Sequence, residues 1–230
     1  MELLKISKLS KYYGRKQALN SVSLSLNGGK IVGLLGPNGS GKTTMLKLIN
    51  GLLFPNEGEI LIEGENPGPS TKAKVSFLPD KEYIPKWMKI YELFNYYADF
   101  YNDFDKQKAE AMLMGLRIDI NDRAGSLSKG NMEKLQLILQ MSRNAKIYLL
   151  DEPIGGVDPA AREYILDTII KSYNPDSLLI ISTHLISDIE RILDEVIFIN
   201  KGEISLHSGV DEIRENKKMS VDEYFREVYR

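Results

Sequence analysis

Residues 36–43 combine glycines with a lysine and a threonine in the pattern of a phosphate-binding loop. In order, the run consists of Gly36, Pro37, Asn38, Gly39, Ser40, Gly41, Lys42 and Thr43. The apolar run Ile31 to Leu35 precedes it, and a helical pattern from Thr44 to Leu52 follows it. This order of strand, loop and helix is the context that a P-loop requires. We therefore predict a nucleoside triphosphate site at this loop.

The loop offers several kinds of contact to phosphate oxygens. Glycines let the backbone curl so that successive N–H groups converge on an anion, and the following helix adds the positive end of its dipole. Lys42 adds a cation for the β and γ phosphates, and the Thr43 hydroxyl is a ligand for Mg²⁺, which prefers oxygen. We predict that Gly36 and each residue from Asn38 to Thr44 contact the nucleotide.

Two adjacent carboxylates end another apolar strand pattern. Ile147 to Leu150 is apolar and leads directly into Asp151 and Glu152. Because consecutive strand residues point to opposite sides, the two acids have different tasks. In a chain that also has a P-loop, we predict that Asp151 holds Mg²⁺ through water. Glu152 is then predicted to polarise the water that attacks the γ-phosphate.

The elements around these motifs alternate as in an α/β domain with a buried parallel sheet. The predicted strands of that sheet are Ile31 to Leu35, Val75 to Leu78, Ile147 to Leu150, Leu178 to Ser182 and Val196 to Ile199. Two further strands, Glu2 to Leu9 and Asn20 to Leu26, flank a turn at Gly14. The second of them alternates at period two, which suits an antiparallel sheet with one face in water.

The alternation stops between residues 80 and 144. Two or three helix-like stretches rich in Tyr, Phe and Met predict an inserted helical subdomain there. We expect residues 1–79 and 145–210 to form the nucleotide-binding core with its β subdomain. Residues 211–230 have Val221, Tyr224, Phe225 and Val228 at helical spacing, which predicts one packed C-terminal helix. The whole chain is expected to be a single domain.

Composition restricts the partners and the environment of the chain. Its 230 residues, 43% of them hydrophobic, are enough to bury a sizeable core. With 30 basic and 32 acidic residues, the net charge of -2 gives no global attraction to nucleic acid, so none is expected as a partner. The absence of cysteine suits a reducing cytosol. Without a long apolar run or a secretory signal, the chain is expected to remain where it is synthesised.

A third motif lies upstream of the acidic strand, just before the helical run Met132 to Met141. It consists of Leu127, Ser128, Lys129, Gly130 and Asn131. Together with the other motifs, it makes the chain resemble the ATP-binding cassette (ABC) ATPases, whose signature has the form Leu-Ser-Gly-Gly-Gln. The resemblance covers essentially the whole chain and implies a P-loop NTPase (RecA-like) core. It also implies that Ser128 and Gly130 face the γ-phosphate of ATP held by a second subunit.

The resemblance assigns roles to three more residues. Asp158 would contact the partner subunit and help to align its catalytic groups, and by itself it also predicts a helix N-cap before Pro159. His184 follows an apolar strand, where it would contact the γ-phosphate and support the attacking water. Tyr13 would stack on adenine.

The sequence departs from the family pattern at three positions. Lys129 and Asn131 stand where the family usually has Gly and Gln, and Lys129 either adds favourable charge at the subunit interface or crowds it. Asp80 follows the predicted strand Val75 to Leu78, where the family has a glutamine whose oxygen reaches Mg²⁺. An aspartate is also a good ligand, although it is shorter and negatively charged. Asp80 therefore joins Thr43 and Asp151 as a candidate metal ligand.

An aromatic segment follows this loop. It contains Tyr83, Trp87, Tyr91, Phe94, Tyr96, Tyr97, Phe100, Tyr101 and Phe104. The family resemblance implies a groove here that receives a short coupling helix from a membrane protein, and aromatic anchors suit such a contact. Most of these side chains are nevertheless expected to form the core of the helical subdomain.

The resemblance implies the ATP-hydrolysing subunit of an ABC transporter. Two such subunits, identical or different, would close on two ATP molecules and drive a separately encoded integral membrane permease from the cytoplasmic face of the membrane. The short helical insertion resembles small bacterial export-type ATPases linked to drug, peptide or antibiotic resistance. Two alternatives stay open: a cassette in DNA repair or translation, or a nucleotide-sensing module. Long coiled-coil insertions and a fused second cassette, typical of the former, do not occur in the sequence.

Overall fold

Two β-sheets form the framework of the protein. The computed structural model describes residues 1–229, apart from the side chains of residues 160 and 161. The smaller sheet is antiparallel, and its strand order is β2 (Lys16–Asn27), β1 (Glu2–Tyr13) and β4 (Glu57–Ile62). The order in the larger sheet is β5 (Val75–Leu78), β6 (Ile147–Asp151), β7 (Leu178–Thr183), β3 (Lys30–Leu35), β8 (Glu195–Asn200) and β9 (Glu203–Gly209).

The larger sheet is parallel except for β9, which pairs antiparallel with β8. Its central strands are buried on both faces, which explains their continuous apolar sequences. In β3, Ile31 and Leu35 contribute to the core on one face, and Val32 and Leu34 contribute to the core that lies toward the antiparallel sheet. The α/β fold with a P-loop core and an antiparallel β subdomain, predicted from the sequence, is confirmed.

Helices cover both faces of the larger sheet and form the insertion. The α-helices are α1 (Lys42–Ile49), α2 (Pro69–Lys72), α3 (Ile90–Phe100), α4 (Lys106–Gly115), α5 (Lys129–Met141), α6 (Pro159–Ser172), α7 (Ile186–Ile189), α8 (Val210–Lys217) and α9 (Val221–Val228). Short 3₁₀ turns occur at Ala124–Ser126 and Glu190–Ile192.

Helices α3, α4 and α5 build a separate apolar core from residues of the insertion. Phe94, Tyr97 and Phe104 are buried in this core, together with one face of α5. Trp87 and Phe100, in contrast, are exposed large side chains. The aromatic segment is therefore divided between the core of the helical subdomain and its surface.

Arg143 ties the insertion to the parallel sheet. Its guanidinium is 2% exposed, lies 3.8 Å from the centroid of the Tyr101 ring, and forms a two-point ion pair with Asp103 at 3.0 and 3.1 Å. It also donates to the carbonyls of Val75 and Ala73, each at 2.6 Å. One side chain therefore joins Asp103, which follows α3, to the start of β5 and the residue two positions before it.

Two strands were missed by the sequence analysis. Both β4 and β9 lie at the edge of their sheets, and each begins with an exposed glutamate, Glu57 and Glu203. An edge strand buries only part of its residues, so its apolar pattern is weaker than that of a central strand.

The prediction of one C-terminal helix was wrong, because residues 210–228 form two helices, α8 and α9. Lys218 ends α8 in the left-handed region, with φ +56°, and Ser220 starts α9 with a capping box to Glu223. The last residue of the predicted segment, Arg230, lies outside the described residues. Helix α9 still packs through Tyr224 and Phe225 against Phe198.

Replacing Arg143 by alanine should lower the free energy of unfolding by about 3 kcal/mol, because the change leaves Asp103 and the buried carbonyl of Val75 without their donor. Urea denaturation followed by circular dichroism measures this loss. Arg226→Ala is the control, since its pair with Asp222 is a surface i, i+4 contact whose removal changes stability by less than about 0.5 kcal/mol. Equal effects of the two changes would contradict the assigned role.

Candidate functional site

The predicted phosphate-binding loop lies between the end of β3 and the start of α1. Gly41 has φ +115°, a conformation that side chains other than glycine rarely adopt. A Cβ on Gly36 would lie 2.2 Å from the carbonyl oxygen of Ile199, so this position also requires glycine. Helix α1 then begins at Lys42, which directs its N-terminus at the loop. The arrangement is suited to hold an anion with backbone N–H groups.

Lys42 is buried beneath the loop. Its ammonium donates to the carbonyl oxygens of Gly36 at 2.7 Å and Pro37 at 3.3 Å, and it lies 3.7 Å from Glu152 Oε1. Burial lowers the pKa of Lys42, and the nearby charges of Glu152 and Asp151 oppose this effect. The cation is thus placed at the loop, where charged phosphate oxygens would compensate its desolvation.

Asp151 lies at the end of β6, facing α1. Its Oδ1 accepts hydrogen bonds from Thr43 Oγ1 at 3.1 Å and from Ser182 Oγ at 2.5 Å. Burial raises the pKa of Asp151, hydrogen bonds from Ser182 and Thr43 oppose the rise, and the charges of Asp80 and Glu152 add to it. Ser182 was not predicted as a site residue. Its only sequence signal is a polar side chain near the end of an apolar strand.

The donor set around Asp151 fits Mg²⁺. Among the described residues, buried Asp151 Oδ2 and Ser40 Oγ have no hydrogen-bond partner. A buried carboxylate oxygen without a donor is stable only when another group compensates it. With Thr43 Oγ1 beside it, Asp151 provides the hard oxygen ligands that Mg²⁺ prefers, and bound Mg²⁺ would neutralise charge on the phosphate oxygens. Asp80 contributes its charge nearby but is exposed.

Glu152 and His184 lie together at the same edge of the sheet. Glu152 Oε2 is 3.1 Å from His184 Nδ1, and its backbone has φ +51°. A non-glycine residue in this region is strained and persists where its surroundings hold it, as often occurs at functional sites. Here Ser182 holds it, because its carbonyl accepts from the Glu152 N–H at 2.9 Å. The side chain of Glu152 is thereby held between Lys42 and His184.

A cavity at the loop brings most of the predicted residues together. It is lined by Tyr13, Lys16, Ala18, Asn38, Gly39, Ser40, Gly41, Lys42, Thr43, Thr44, Asp80 and Glu152. Gly36, Asp151 and His184 adjoin it through their hydrogen bonds to Lys42, Thr43 and Glu152. Lys16 and Ala18, which follow the turn after Tyr13, were not predicted. The half-exposed ring of Tyr13 lies at this cavity with the Lys11 ammonium 5.7 Å from its centroid.

Ser128, Gly130 and Asp158 form a second cluster and are not among the residues that line the cavity. Ser128 caps α5 by accepting from the Asn131 N–H at 3.3 Å. A Cβ on Gly130 would lie 4.0 Å from Asp158 Oδ2, so the signature adjoins the residue that precedes α6. Lys129 is exposed and lies 3.8 Å from Glu133. The structure therefore places the candidate nucleotide residues in two separate groups on one chain.

The loop, the two acids and the histidine at one edge of a parallel sheet define a P-loop nucleotide-binding domain. The family model of the ABC transporters matches residues 19–155, a span from β2 through the acidic strand β6 to Gly155. The protein belongs to the ABC transporter family. The resemblance identified from the P-loop, the signature and the acidic strand is thereby confirmed.

Individual relatives agree with this assignment. The chain is 31% identical over 210 residues to the SkfA peptide export ATP-binding protein SkfE of Bacillus subtilis, which covers 89% of this chain and 88% of the relative. It is 27% identical over 224 residues to the lantibiotic transport ATP-binding protein SrtF of Streptococcus pyogenes, with 91% and 92% covered. A solved structure of an ATP binding subunit of an ABC transporter superposes with a TM-score of 0.89 at 26% identity, over 99% and 100% of the two chains.

These matches establish the ATP-binding subunit of an ABC transporter as the class of this protein, with ATP hydrolysis coupled to transport. They favour the transporter interpretation over DNA repair, translation or nucleotide sensing. Within residues 1–229, no helix is both long and apolar enough to cross a membrane.

Asp151→Asn should stabilise the nucleotide-free protein while weakening Mg²⁺-dependent ATP binding. The raised pKa means that ionised Asp151 destabilises the native state at pH 7, and the amide removes that charge. The thermal midpoint should rise by roughly 2–4 °C, the shift that about 1 kcal/mol produces in a chain of this size.

The pH dependence of this difference provides its control. Lowering the pH through the raised pKa protonates Asp151 in the wild type and relieves the same charge, so the advantage of Asp151→Asn should shrink in acid. Calorimetric scans at several pH values measure it. A variant that is less stable than the wild type at pH 7 would show that the carboxylate is not destabilised by burial.

Proposed function

We propose that this chain is an energising subunit of a bacterial exporter, which binds ATP with Mg²⁺ and hydrolyses it. The observation that supports the proposal most directly is the convergence of Lys42, Thr43, Asp151, Glu152 and His184 at one edge of the sheet. Lys42 supplies a cation for the phosphates, and Thr43 and Asp151 supply oxygen ligands for the metal. Glu152 is the base, and His184 orients it. This is the set that phosphoryl transfer to water requires.

Each residue has a distinct task in this proposal. Backbone N–H groups of the loop and Lys42 bind the β and γ phosphates, and Tyr13 stacks on the adenine ring. Glu152 accepts the hydrogen bond of the attacking water, while His184 orients that carboxylate and contacts the γ-phosphate. Thr43, Asp151 and, from the cavity wall, Asp80 are the metal ligands that we propose.

We propose that the second cluster completes the site of another subunit. Ser128 at the start of α5 and adjacent Gly130 present a helix N-terminus that lies outside the cavity of their own chain. Two chains in opposite orientation, identical or different, would place this terminus against the γ-phosphate in the partner's loop. Of the two possibilities for Lys129, its exposure favours a role as an added cation at that interface, and Asp158 beside Gly130 would lie there too.

A groove beside the helical subdomain is the proposed contact with a separately encoded membrane permease. Its volume is about 770 Å³, and its walls include Leu52, Trp87, Tyr96 and Phe100. Lys47 and Lys72 line it as well, and the described lining contains no carboxylate. An amphipathic helix that combines apolar anchors with an acidic side chain fits this surface. Such a partner would hold the subunit at the cytoplasmic face of the membrane.

The proposed direction of transport is export. It is supported by the names of two relatives, the SkfA peptide export ATP-binding protein SkfE and the lantibiotic transport ATP-binding protein SrtF. The membrane permease, which this chain contacts through the groove, would select the cargo.

Glu152→Gln should reduce the ATPase rate at least about 100-fold while ATP still binds, because an amide cannot accept a proton from the attacking water. The same variant should accumulate as an ATP-bound dimer, since hydrolysis no longer separates the two subunits. Phosphate release measures the rate, and size-exclusion chromatography with light scattering measures the dimer. The matched control is Glu110→Gln, an acid on α4 that pairs with Lys106 and lies outside the cavity lining. Normal turnover by Glu152→Gln would remove the residue from the catalytic set.

Charge reversal at Lys47 and Lys72 together should abolish recovery of a membrane protein with this chain, since an acidic side chain on the partner would then be repelled. The measurement is affinity purification from native membranes in mild detergent, followed by mass spectrometry. Lys171→Glu is the control, because it removes an exposed cation on α6 away from the groove. Unchanged recovery by the double variant would assign the contact to another surface.

A further inference from the structure

Helix α5 has two buried amides, and one of them, that of Gln140, lines the groove. Gln136 and Gln140 lie one turn apart on α5, and their side chains are only 6% and 5% exposed. A buried amide destabilises a core unless its donors and acceptors are satisfied. Apolar residues would fill these positions without that requirement. Two polar residues on the buried face of α5 therefore indicate a specific set of contacts.

Gln140 joins three other elements through hydrogen bonds. Its amide nitrogen donates to the hydroxyl of Tyr83 at 2.6 Å and to that of Tyr97 at 2.8 Å, and these two hydroxyls are 2.9 Å apart. Its Oε1 accepts from Ser76 Oγ on β5 at 2.9 Å. Gln136 adds a contact of its own, because its Oε1 accepts from the backbone N–H of Tyr83 at 3.2 Å.

Both tyrosine hydroxyls remain protonated in this network. Burial raises the pKa of Tyr83 to about 12 and moves the pKa of Tyr97 in the same direction. Each hydroxyl can therefore donate one hydrogen bond as well as accept one. One hydroxyl can donate to the other while both accept from the Gln140 amide, so these hydrogen bonds link Ser76, Tyr83, Tyr97 and the two glutamines in one connected network.

Tyr83 lies on the segment that connects the nucleotide cavity with the groove. Asp80, three residues earlier, lines the nucleotide cavity and acts on Asp151 through its charge. Tyr83 itself lines the groove. Helix α5 contacts both the hydroxyl and the backbone N–H of Tyr83. Its N-cap is Ser128, a residue of the signature. Gln136 and Gln140 thus connect the segment 80–83 to the signature helix.

We propose that Gln140, assisted by Gln136, is a positioning residue that couples the Asp80 side of the nucleotide cavity to the groove. A displacement of Asp80 on nucleotide binding moves Tyr83, and the amides transmit this movement to α5 and α3 as one unit. Apolar contacts would allow these elements to slide past one another, whereas directional hydrogen bonds do not. The inference rests on the proposed nucleotide site and groove and assigns two residues of α5 to the contact between them.

Trp87 is a suitable reporter, because it is the single tryptophan of the chain, lines the groove and is 67% exposed. Its fluorescence is recorded in the isolated protein while ATP and Mg²⁺ are added, and the nucleotide Kd is measured in parallel by calorimetry. In the wild type, nucleotide binding should change the Trp87 signal. In Gln140→Leu and in Tyr83→Phe, the amplitude should fall at least about twofold with a similar Kd, because binding no longer reaches the groove.

Tyr96→Phe is the matched control, since it removes a hydroxyl from the same groove and Tyr96 is outside the Gln140 network. Its fluorescence response should equal that of the wild type. Thermal unfolding of each variant checks the fold, and Tyr83→Phe decides the question if Gln140→Leu does not fold. Full fluorescence responses in folded Gln140→Leu or Tyr83→Phe would overturn the inference, because the hydrogen bonds would then be purely structural.

The two levels of the proposal fail separately. A wild-type protein that binds ATP without any change at Trp87 contradicts the coupling and leaves the ATPase assignment unchanged. A wild-type protein that does not bind ATP at all contradicts the proposed nucleotide site.

Discussion

The parallel register of β3, β7 and β6 is the constraint on which the nucleotide site depends. Leu35 pairs with Thr183, and Ser182 pairs with Asp151, so the three strands end at one edge of the sheet. The residues that follow, Gly36, His184 and Glu152, are therefore brought together although they are distant in sequence. A slip of one residue in β6 would exchange the sides of Asp151 and Glu152 and separate each from its partners. The buried apolar residues of these strands fix the register and, through it, the chemistry.

This arrangement places ionisable side chains where water is excluded. Lys42 and Asp151 are both buried, and burial moves the pKa of each toward its neutral form. The pair is only partly compensated, since Asp151 Oδ2 has no partner among the described residues. Phosphate oxygens and a divalent cation would carry the charges that these groups lack. The site would therefore be less stable alone than when it is filled, which is common where function and stability compete.

The features that could be read from the sequence are those encoded locally. The P-loop requires glycine at neighbouring positions, and central strands have continuous apolar sequences, so both were predictable. Ser182 and Gln140 were not, because their roles arise from partners in distant elements, Asp151 on β6 and Tyr83 after β5. The break at Lys218 depends on one residue in the left-handed region, which a helical spacing of apolar residues conceals. The predicted roles of the site residues in catalysis remain predictions.

Helix α5 combines three tasks that the sequence presents as unrelated. Its N-terminus carries the signature residues, its buried face holds the segment 80–83 through Gln136 and Gln140, and just beyond its C-terminus Arg143 is anchored to β5 and Asp103. A helix is stiff along its axis, so these contacts cannot move independently. If the signature contacts nucleotide on a second subunit, the same rigid helix makes that contact at its N-terminus and lines the groove through Gln140. Dimer closure and the state of the groove would then be two consequences of one displacement of α5.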